Sequence, residues 1–180
     1  GFETVVREVS DALLEKGMGR IRGSLAKAVE KGKMTADERD VVLGRIHGTT
    51  GFEAMADCDL VVEAIVENLE EKKATYAALD KVVQPSAIFA SNTSSLTVTQ
   101  LAMATSRPSR FVGLHFFNPV PVMKLVEVVR TLLTDDSVLA EIDVSDPKRL
   151  RLVRTLTLDG SYVAARLIDG TARIVAASQV

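Results

Sequence analysis

The sequence has few of the residues and runs that mark several classes of protein. One cysteine, Cys58, in 180 residues excludes an internal disulfide and is consistent with a reducing compartment. No apolar run approaches the roughly 18 residues that a membrane span needs. The net charge of −2 does not indicate a nucleic acid or an acidic membrane surface as a partner. We therefore expect a cytoplasmic protein with neither nucleic acid nor a membrane among its partners.

Several binding and catalytic motifs are also absent. The two histidines, His47 and His115, form no Cys/His cluster with metal-ligand spacing, so we expect no metal site. No Gly-x-Ser-x-Gly elbow indicates a serine hydrolase. The glycines of "GMGRIRG", Gly17 to Gly23, lie within a helical pattern and not at a strand-to-helix turn. They indicate close helix packing and not a phosphate-binding loop.

The composition is that of an ordinary globular chain. It is 47% hydrophobic and 26% charged, and 180 residues suffice for one domain or one and a half. The start, "GFETVV", has no basic leader and no initiator Met, and begins within a β-prone run. We expect the chain to have been cut from a longer protein.

Up to Thr134 the chain alternates between strand-like and helical patterns. The strand-like runs are "TVVREV", "DLVVEAIVE", "AIFASN", "RFVGLHFF" and "KLVEVV". Helices are predicted from Asp11 to about Lys31, from the capping box "TADE" to Ile46 with His47 at its C-terminal end, over "LEEKKATYAALDKVV", and over "TVTQLAMA". The alternation predicts an α/β fold with a mainly parallel sheet.

The pattern changes after Thr134. Residues 135–180 carry turn signals at Ser145-Asp146-Pro147, Asp159-Gly160 and Asp169-Gly170 between short β-prone runs. We predict a β-meander tail there, separate from a domain that spans residues 1–134.

Acidic residues at predicted strand ends are the first candidates for a site. Glu8 ends the first strand, where an acid in a dinucleotide fold accepts hydrogen bonds from the adenosine ribose and repels a 2′-phosphate. Taken alone, it is more often a solvated surface residue. Glu63 and Glu67 flank "AIV" near the end of another strand, with Lys72 following. These three residues are either part of a ligand site or a charge cluster at the start of a helix.

The polar run "SNTSS", Ser91 to Ser95, directly follows an apolar strand. It can present amides and hydroxyls to a ligand or cap the next helix. His115 ends the next strand, and Glu127 lies in the strand after that. A hydrogen-bonded His–Glu pair suits proton transfer to or from a hydroxyl, because the carboxylate fixes the imidazole tautomer and raises its basicity. An isolated His is more often a core residue bonded to a backbone carbonyl.

Three motifs resemble those of a known family when they are taken together. "DLVVEAIVEN", "FASNTSSL" and "GLHFFNPVPVMKLVEVV", in this order and spacing, are similar to the NAD-binding domain of 3-hydroxyacyl-CoA dehydrogenases, and most similar to that of the bacterial 3-hydroxybutyryl-CoA enzymes. The resemblance covers about Gly1 to Thr134. It implies a Rossmann-type doubly wound parallel sheet, NAD as cofactor, an acyl-CoA substrate and a place in fatty acid metabolism, in β-oxidation.

The resemblance also implies roles for individual residues. His115 is the expected general base, Glu127 its orienting carboxylate, and Ser94 a contact to the substrate oxygen. The residues expected to bind the cofactor are Glu8, Ala64, Glu67, Lys72, Asn92 and Asn118. The implied reaction oxidises an (S)-3-hydroxyacyl-CoA to the 3-oxoacyl-CoA.

The sequence departs from the family in ways that bear on activity. The first strand with its Gly-x-Gly-x-x-Gly turn and the helical C-terminal domain, which makes the family's homodimer, are both missing from this chain. We therefore expect residues 1–180 by themselves to form an incomplete Rossmann sheet that lacks its first strand, and to bind NAD weakly or not at all. The tail resembles a blade of a secreted bacterial β-propeller, so one alternative is a non-catalytic truncated or fused product. A separate alternative is a related dehydrogenase that acts on a different hydroxy acid.

Overall fold

The computed structural model describes residues 2–120, 126–141, 161–168 and 171–177. The chain divides into two compact units, Gly1–Asp57 and Cys58–Val180, and each is described by itself. No helix among these described residues is both long enough and apolar enough to cross a membrane.

The first unit pairs two short parallel strands beside two helices. Its elements are β1 (Thr4–Arg7), α1 (Asp11–Glu30), α2 (Ala36–Leu43) and β2 (Ile46–Thr49). The helix starts follow from local capping: the Ser10 side chain accepts from the amide of Leu13, and Thr35 and Glu38 form a capping box. The predicted α1 and the predicted start of α2 are confirmed.

The predicted end of the second helix at Ile46 is wrong. The helix stops at Leu43, and Ile46–Thr49 is a strand, so His47 lies in β2 and not at a helix C-terminus. The local sequence gave no strand signal, because β2 is defined by its pairing with β1, where Val5 lies opposite His47. The His47 Nε2 is 3.3 Å from the Glu3 Oε2.

The "GMGRIRG" glycines lie in α1, as predicted, but not at a close contact. A Cβ added to Gly17, Gly19 or Gly23 would meet no atom within 4 Å among the residues that the structure describes. Close approaches in this unit are at Gly48, where a Cβ would lie 3.1 Å from a Leu14 methyl carbon, and at Gly51, where it would lie 2.5 Å from the Glu53 Oε2. The interpretation of those glycines as packing residues is therefore wrong.

The second unit contains a four-stranded sheet in the order β3-β4-β5-β6. Its elements are β3 (Leu60–Glu63), α3 (Leu69–Leu79), β4 (Ile88–Ser91), α4 (Val98–Ala102), β5 (Phe111–Phe116), β6 (Val126–Arg130) and α5 (Asp136–Glu141). Strands β3, β4 and β5 run parallel, whereas β6 is antiparallel to β5. The predicted α/β fold with a mainly parallel sheet is confirmed.

The core of this unit lies on both faces of β4, all four residues of which are buried. One face carries an aromatic cluster in which the Tyr76 and Phe111 ring centroids are 4.7 Å apart at 64°. The other face packs Ile88, Ala90, Val112 and Leu114 against Val138 of α5. A strand buried on both faces reads as a continuous apolar run, which is why "AIFAS" was recognisable.

The described part of the tail consists of the helix α5, where a β-meander was predicted, and an antiparallel pair, β7 (Ser161–Ile168) and β8 (Thr171–Ala177). These strands flank the predicted Asp169-Gly170 turn. All three predicted turns of the tail lie outside the described residues. The division at Thr134 stays a prediction.

Candidate active site

The parallel strands of the second unit bring three chain segments to one edge of the sheet. Glu63 at the end of β3 is in register with Ser91 at the end of β4, which is in register with Gly113 of β5. The segments that follow these strands therefore leave the sheet side by side. In open parallel sheets this carboxyl edge is where ligands bind.

His115 and Glu127 are brought together by strand pairing. They are directly opposite in the antiparallel ladder of β5 and β6, so their side chains leave the same face of the sheet. The His115 Nδ1 is 3.5 Å from the Glu127 Oε2, and the two side chains are 20% and 21% exposed. The Phe117 ring lies against the imidazole, with centroids 4.5 Å apart. This arrangement leaves Nε2 as the nitrogen that does not face Glu127.

Glu63 and Lys72 form an ion pair inside the protein. The Lys72 Nζ is 2.6 Å from the Glu63 Oε1, and each side chain is 1% exposed. The amide of Ile65 donates to the same carboxylate at 2.7 Å, and the Ser91 hydroxyl donates to its other oxygen at 2.8 Å. Glu63 and Lys72 thus form a buried, hydrogen-bonded ion pair between the end of β3 and the start of α3.

Glu67 is hydrogen-bonded to three residues of the "SNTSS" loop. Its Oε1 accepts from the Thr93 hydroxyl at 2.5 Å, the Ser94 amide at 3.0 Å and the Ser95 amide at 3.3 Å. The Thr93 hydrogen bond, with the Ser94 amide and Lys72, lowers the pKa of Glu67 from 4.5 to about 2, although partial burial opposes the shift. Glu67 is therefore a carboxylate at any physiological pH.

The remaining predicted residues of this unit lie around the same edge. The Asn92 Oδ1 accepts from the Phe116 amide at 2.8 Å, which ties the loop to β5 next to His115. Ser94 and Ala64 are exposed. Asn118 is also exposed and precedes a cis peptide bond to Pro119.

Glu8 belongs to the first unit. It directly follows β1, its side chain is half-buried, and its amide donates to the Thr49 carbonyl at 3.1 Å. It therefore stands at the carboxyl end of a parallel strand, as predicted from the sequence.

Three side chains of this network were not singled out from the sequence: Ser91, Thr93 and Ser95. The hydroxyl of each donates to the carboxylate of Glu63 or Glu67. The signal was the run of small polar residues itself, but only the fold shows which hydroxyl meets which carboxylate.

The exposed groups at this edge fit a dinucleotide. Ile65 and Val66 offer apolar surface directly after β3, and the Ser94 hydroxyl and the Asn118 amide offer hydrogen-bonding groups. A mainly apolar surface with a few polar anchors is typical of a cofactor site. In the described parts of the chain no group of three or more His, Cys, Asp or Glu side chains could hold a metal ion.

The chain is similar to known proteins over most of its length. Residues 1–144 match the family described as 3-hydroxyacyl-CoA dehydrogenase, NAD binding domain. The chain is 52% identical to a probable 3-hydroxybutyryl-CoA dehydrogenase of Deinococcus radiodurans over 136 residues, which are 76% of this chain and 49% of the relative. It is 44% identical to the 3-hydroxybutyryl-CoA dehydrogenase of Mycobacterium tuberculosis over 171 residues, 93% of this chain and 60% of the relative.

A solved structure gives the same result. The crystal structure of the 3-hydroxybutyryl-CoA dehydrogenase from Escherichia coli K12 superposes with a TM-score of 0.74 at 41% identity, covering 77% of this chain and 29% of that one. The chain spans about half the length of the first of these relatives. The predicted Rossmann-type α/β fold and NAD as the cofactor are confirmed by these matches, and the chain belongs to the family of 3-hydroxyacyl-CoA dehydrogenase NAD-binding domains.

Proposed function

We propose that the protein oxidises an (S)-3-hydroxyacyl-CoA to the 3-oxoacyl-CoA with NAD, and that His115 is its general base. The observation that carries this proposal is the His115–Glu127 pair at the carboxyl edge of the sheet, beside the "SNTSS" loop. The names of the relatives support the substrate class, since those cited act on 3-hydroxybutyryl-CoA by name.

His115 takes the proton of the substrate's 3-hydroxyl in this proposal. Glu127 accepts from the Nδ1–H, which leaves the lone pair on Nε2 for the incoming proton and stabilises the imidazolium that forms. The bound NAD supplies the hydride acceptor. The C3–H bond breaks as the C3–O double bond forms, and the hydroxyl proton ends on His115, so hydride and proton leave separately. In the reverse direction the protonated imidazole returns this proton to the oxygen.

Ser94 is proposed to contact the reacting oxygen. Its hydroxyl is exposed, while its amide is held by Glu67. The loop is also tied to β5, because the Asn92 side chain accepts from the amide of Phe116, the residue after His115. A hydroxyl on a loop anchored at both ends is positioned without losing access to the substrate.

NAD is proposed to bind at the carboxyl edge of the sheet in the second unit. The proposed contacts are Ala64, Glu67, Asn92 and Asn118 in the second unit, and Glu8, which follows β1 in the first unit, is proposed for the adenosine ribose. Lys72 was also predicted as a contact, but its side chain is 1% exposed and bonded to Glu63 and Glu67, so it is not proposed to touch the cofactor directly. Glu8 would accept from the adenosine ribose hydroxyls and would repel a 2′-phosphate, so NAD is preferred to NADP. We also propose a cytoplasmic location, where both NAD and acyl-CoA are available.

A stereospecific assay tests the proposal. The protein produced from its own gene is incubated with (S)- or (R)-3-hydroxybutyryl-CoA and with NAD or NADP, and NADH formation is followed by absorbance. We expect rapid turnover only of the S form, and only with NAD. Turnover of the R form at the same rate, or none of the S form, would contradict the proposed function.

A further inference from the structure

The Glu63 carboxylate is hydrogen-bonded to two loops that carry proposed cofactor and substrate contacts. One loop follows β3 and contains Ala64 and Glu67, and the other, "SNTSS", follows β4. Glu63 is bonded to the first loop through the Ile65 amide and to the start of the second through the Ser91 hydroxyl. Its carbonyl accepts from the Asn92 amide at 2.8 Å. One buried residue therefore joins both loops.

Lys72 extends this connection to Glu67. An ammonium group has three N–H donors. Three acceptors lie within reach of the Lys72 Nζ: Glu63 Oε1 at 2.6 Å, the Ile65 carbonyl at 3.3 Å and Glu67 Oε2 at 3.3 Å. With its donors taken and its side chain 1% exposed, Lys72 has none to offer to a ligand in this arrangement.

Glu67 completes the connection. One of its oxygens faces Lys72, and the other holds the Thr93 hydroxyl and the amides of Ser94 and Ser95. Its side chain is 37% exposed, whereas those of Glu63 and Lys72 are 1% exposed, so Glu67 is the charged residue of the three that reaches the surface. The order from inside to outside is Glu63, Lys72, Glu67 and the loop.

We propose that Glu63 is a positioning residue of the active site, which fixes the "SNTSS" loop and the Glu67 carboxylate through Lys72 and Ser91 without touching either ligand. The inference rests on the proposed function, because it assigns these loops to NAD and the substrate. It changes the expected role of Lys72, which acts on the cofactor through Glu67 and not by direct contact.

Hydrogen exchange tests the connection without any ligand. In Glu63→Gln the side chain keeps its size but loses its charge, so Lys72 and the Ser91 hydroxyl lose a charged acceptor. We expect the Ser94 and Ser95 amides to exchange at least about tenfold faster than in the wild type, since each charge-assisted bond contributes a factor of ten or more. The matched control is Glu70→Gln, which removes an exposed carboxylate paired with Lys73 at 3.0 Å on the same helix.

Cofactor titration separates positioning from mere stability. For Glu63→Gln we expect the Kd for NADH to rise about tenfold, while kcat at saturating NAD and substrate falls less than about threefold. Glu70→Gln should change neither. A lower Tm with unchanged exchange at Ser94 and Ser95 and unchanged NADH affinity would overturn the inference, because it would make Glu63 purely structural.

A double variant keeps the inference testable if Glu63→Gln does not fold. Glu63→Gln with Lys72→Met removes both buried charges at nearly constant volume, a change that buried ion pairs often tolerate. We expect the same fast exchange at Ser94 and Ser95, and wild-type protection there would overturn the inference. A wild-type protein that does not bind NADH would contradict the proposed function instead, and the exchange result would still decide whether Glu63 holds the loops.

Discussion

Two pairs of a carboxylate and a basic side chain lie at the same sheet edge. They differ in the distance between their atoms, in exposure and in the elements that bring them together. Glu63 and Lys72 are 2.6 Å apart and 1% exposed, and a strand and a helix bring them together. His115 and Glu127 are 3.5 Å apart and about one-fifth exposed, and two paired strands bring them together. Such a difference is expected if the first pair holds the structure and the second exchanges a proton with a ligand. A side chain that must contact a substrate has to remain accessible. An ion pair that only holds a loop is strengthened by the low dielectric of the protein interior.

Breaking the buried pair should have the largest effect. Lys72→Met leaves the Glu63 carboxylate buried without a cation, and we expect the free energy of unfolding to fall by about 3–5 kcal/mol. Urea denaturation measures this change. Its control is Lys73→Met, which breaks an exposed pair and should change the same quantity by less than about 1 kcal/mol. Equal losses in the two variants would remove the distinction between the buried pair and a surface pair.

Removing the proposed base should affect turnover and leave the fold intact. We expect His115→Gln to lower kcat by at least about 10²-fold with NAD affinity nearly unchanged, because the proton then has no acceptor. His47→Gln is the control, since His47 is an exposed residue of β2 in the other unit. A parallel loss of NAD affinity in His115→Gln would show that His115 is a structural residue like Lys72.

Removing only the charge of Glu127 should have a smaller effect. Glu127→Gln still fills its position but no longer stabilises an imidazolium, so we expect kcat to fall about tenfold. The control is Asp136→Asn, which removes an exposed carboxylate paired at 2.9 Å with Arg130, the last residue of β6. If both variants retain full turnover, Glu127 does not orient the base.

The smallest expected effect is on acid stability. Because the folded protein lowers the pKa of Glu67 from 4.5 to about 2, this carboxylate stabilises the fold above pH 4.5. That contribution is lost as the pH falls from 4.5 through 2, where the carboxylate becomes protonated. Glu67→Gln should therefore lose less stability than the wild type over this window. If the unfolding free energies of the wild type and Glu67→Gln change with pH in parallel, the hydrogen bonds assigned to Glu67 are contradicted.

Features that depend on residues close together in the chain, such as helix caps and buried strands, were predicted best from the sequence. The capping box "TADE" marks the start of α2, because the cap residue Thr35 and the Glu38 amide that it binds are only three residues apart. The buried run of β4 was equally clear. By contrast, β2 was missed because a strand of four residues is defined by its partner, and the partner β1 lies some forty residues away in sequence.

The candidate site was predicted in its residue types but not in its connections. His115 and Glu127 could be suspected as a pair, yet their contact depends on the register of two strands, which sequence alone does not fix. Burial of Lys72 was not predictable, since lysine is almost never fully buried unless it is paired. The pairing with Glu63 spans nine positions and crosses from a strand to a helix, so no short-range pattern indicates it.

The antiparallel ladder between β5 and β6 makes the dyad sensitive to insertions in a way that point substitutions do not reveal. Neighbouring residues of β6 face opposite sides of the sheet, so a shift by one position would place Val126 or Val128 opposite His115 and turn Glu127 away from it. Loops around the strands can gain or lose residues while the pairing is kept, but one extra residue inside β6 before Glu127 separates the pair. The register of β6, and not only the identity of the two residues, therefore determines whether the dyad forms.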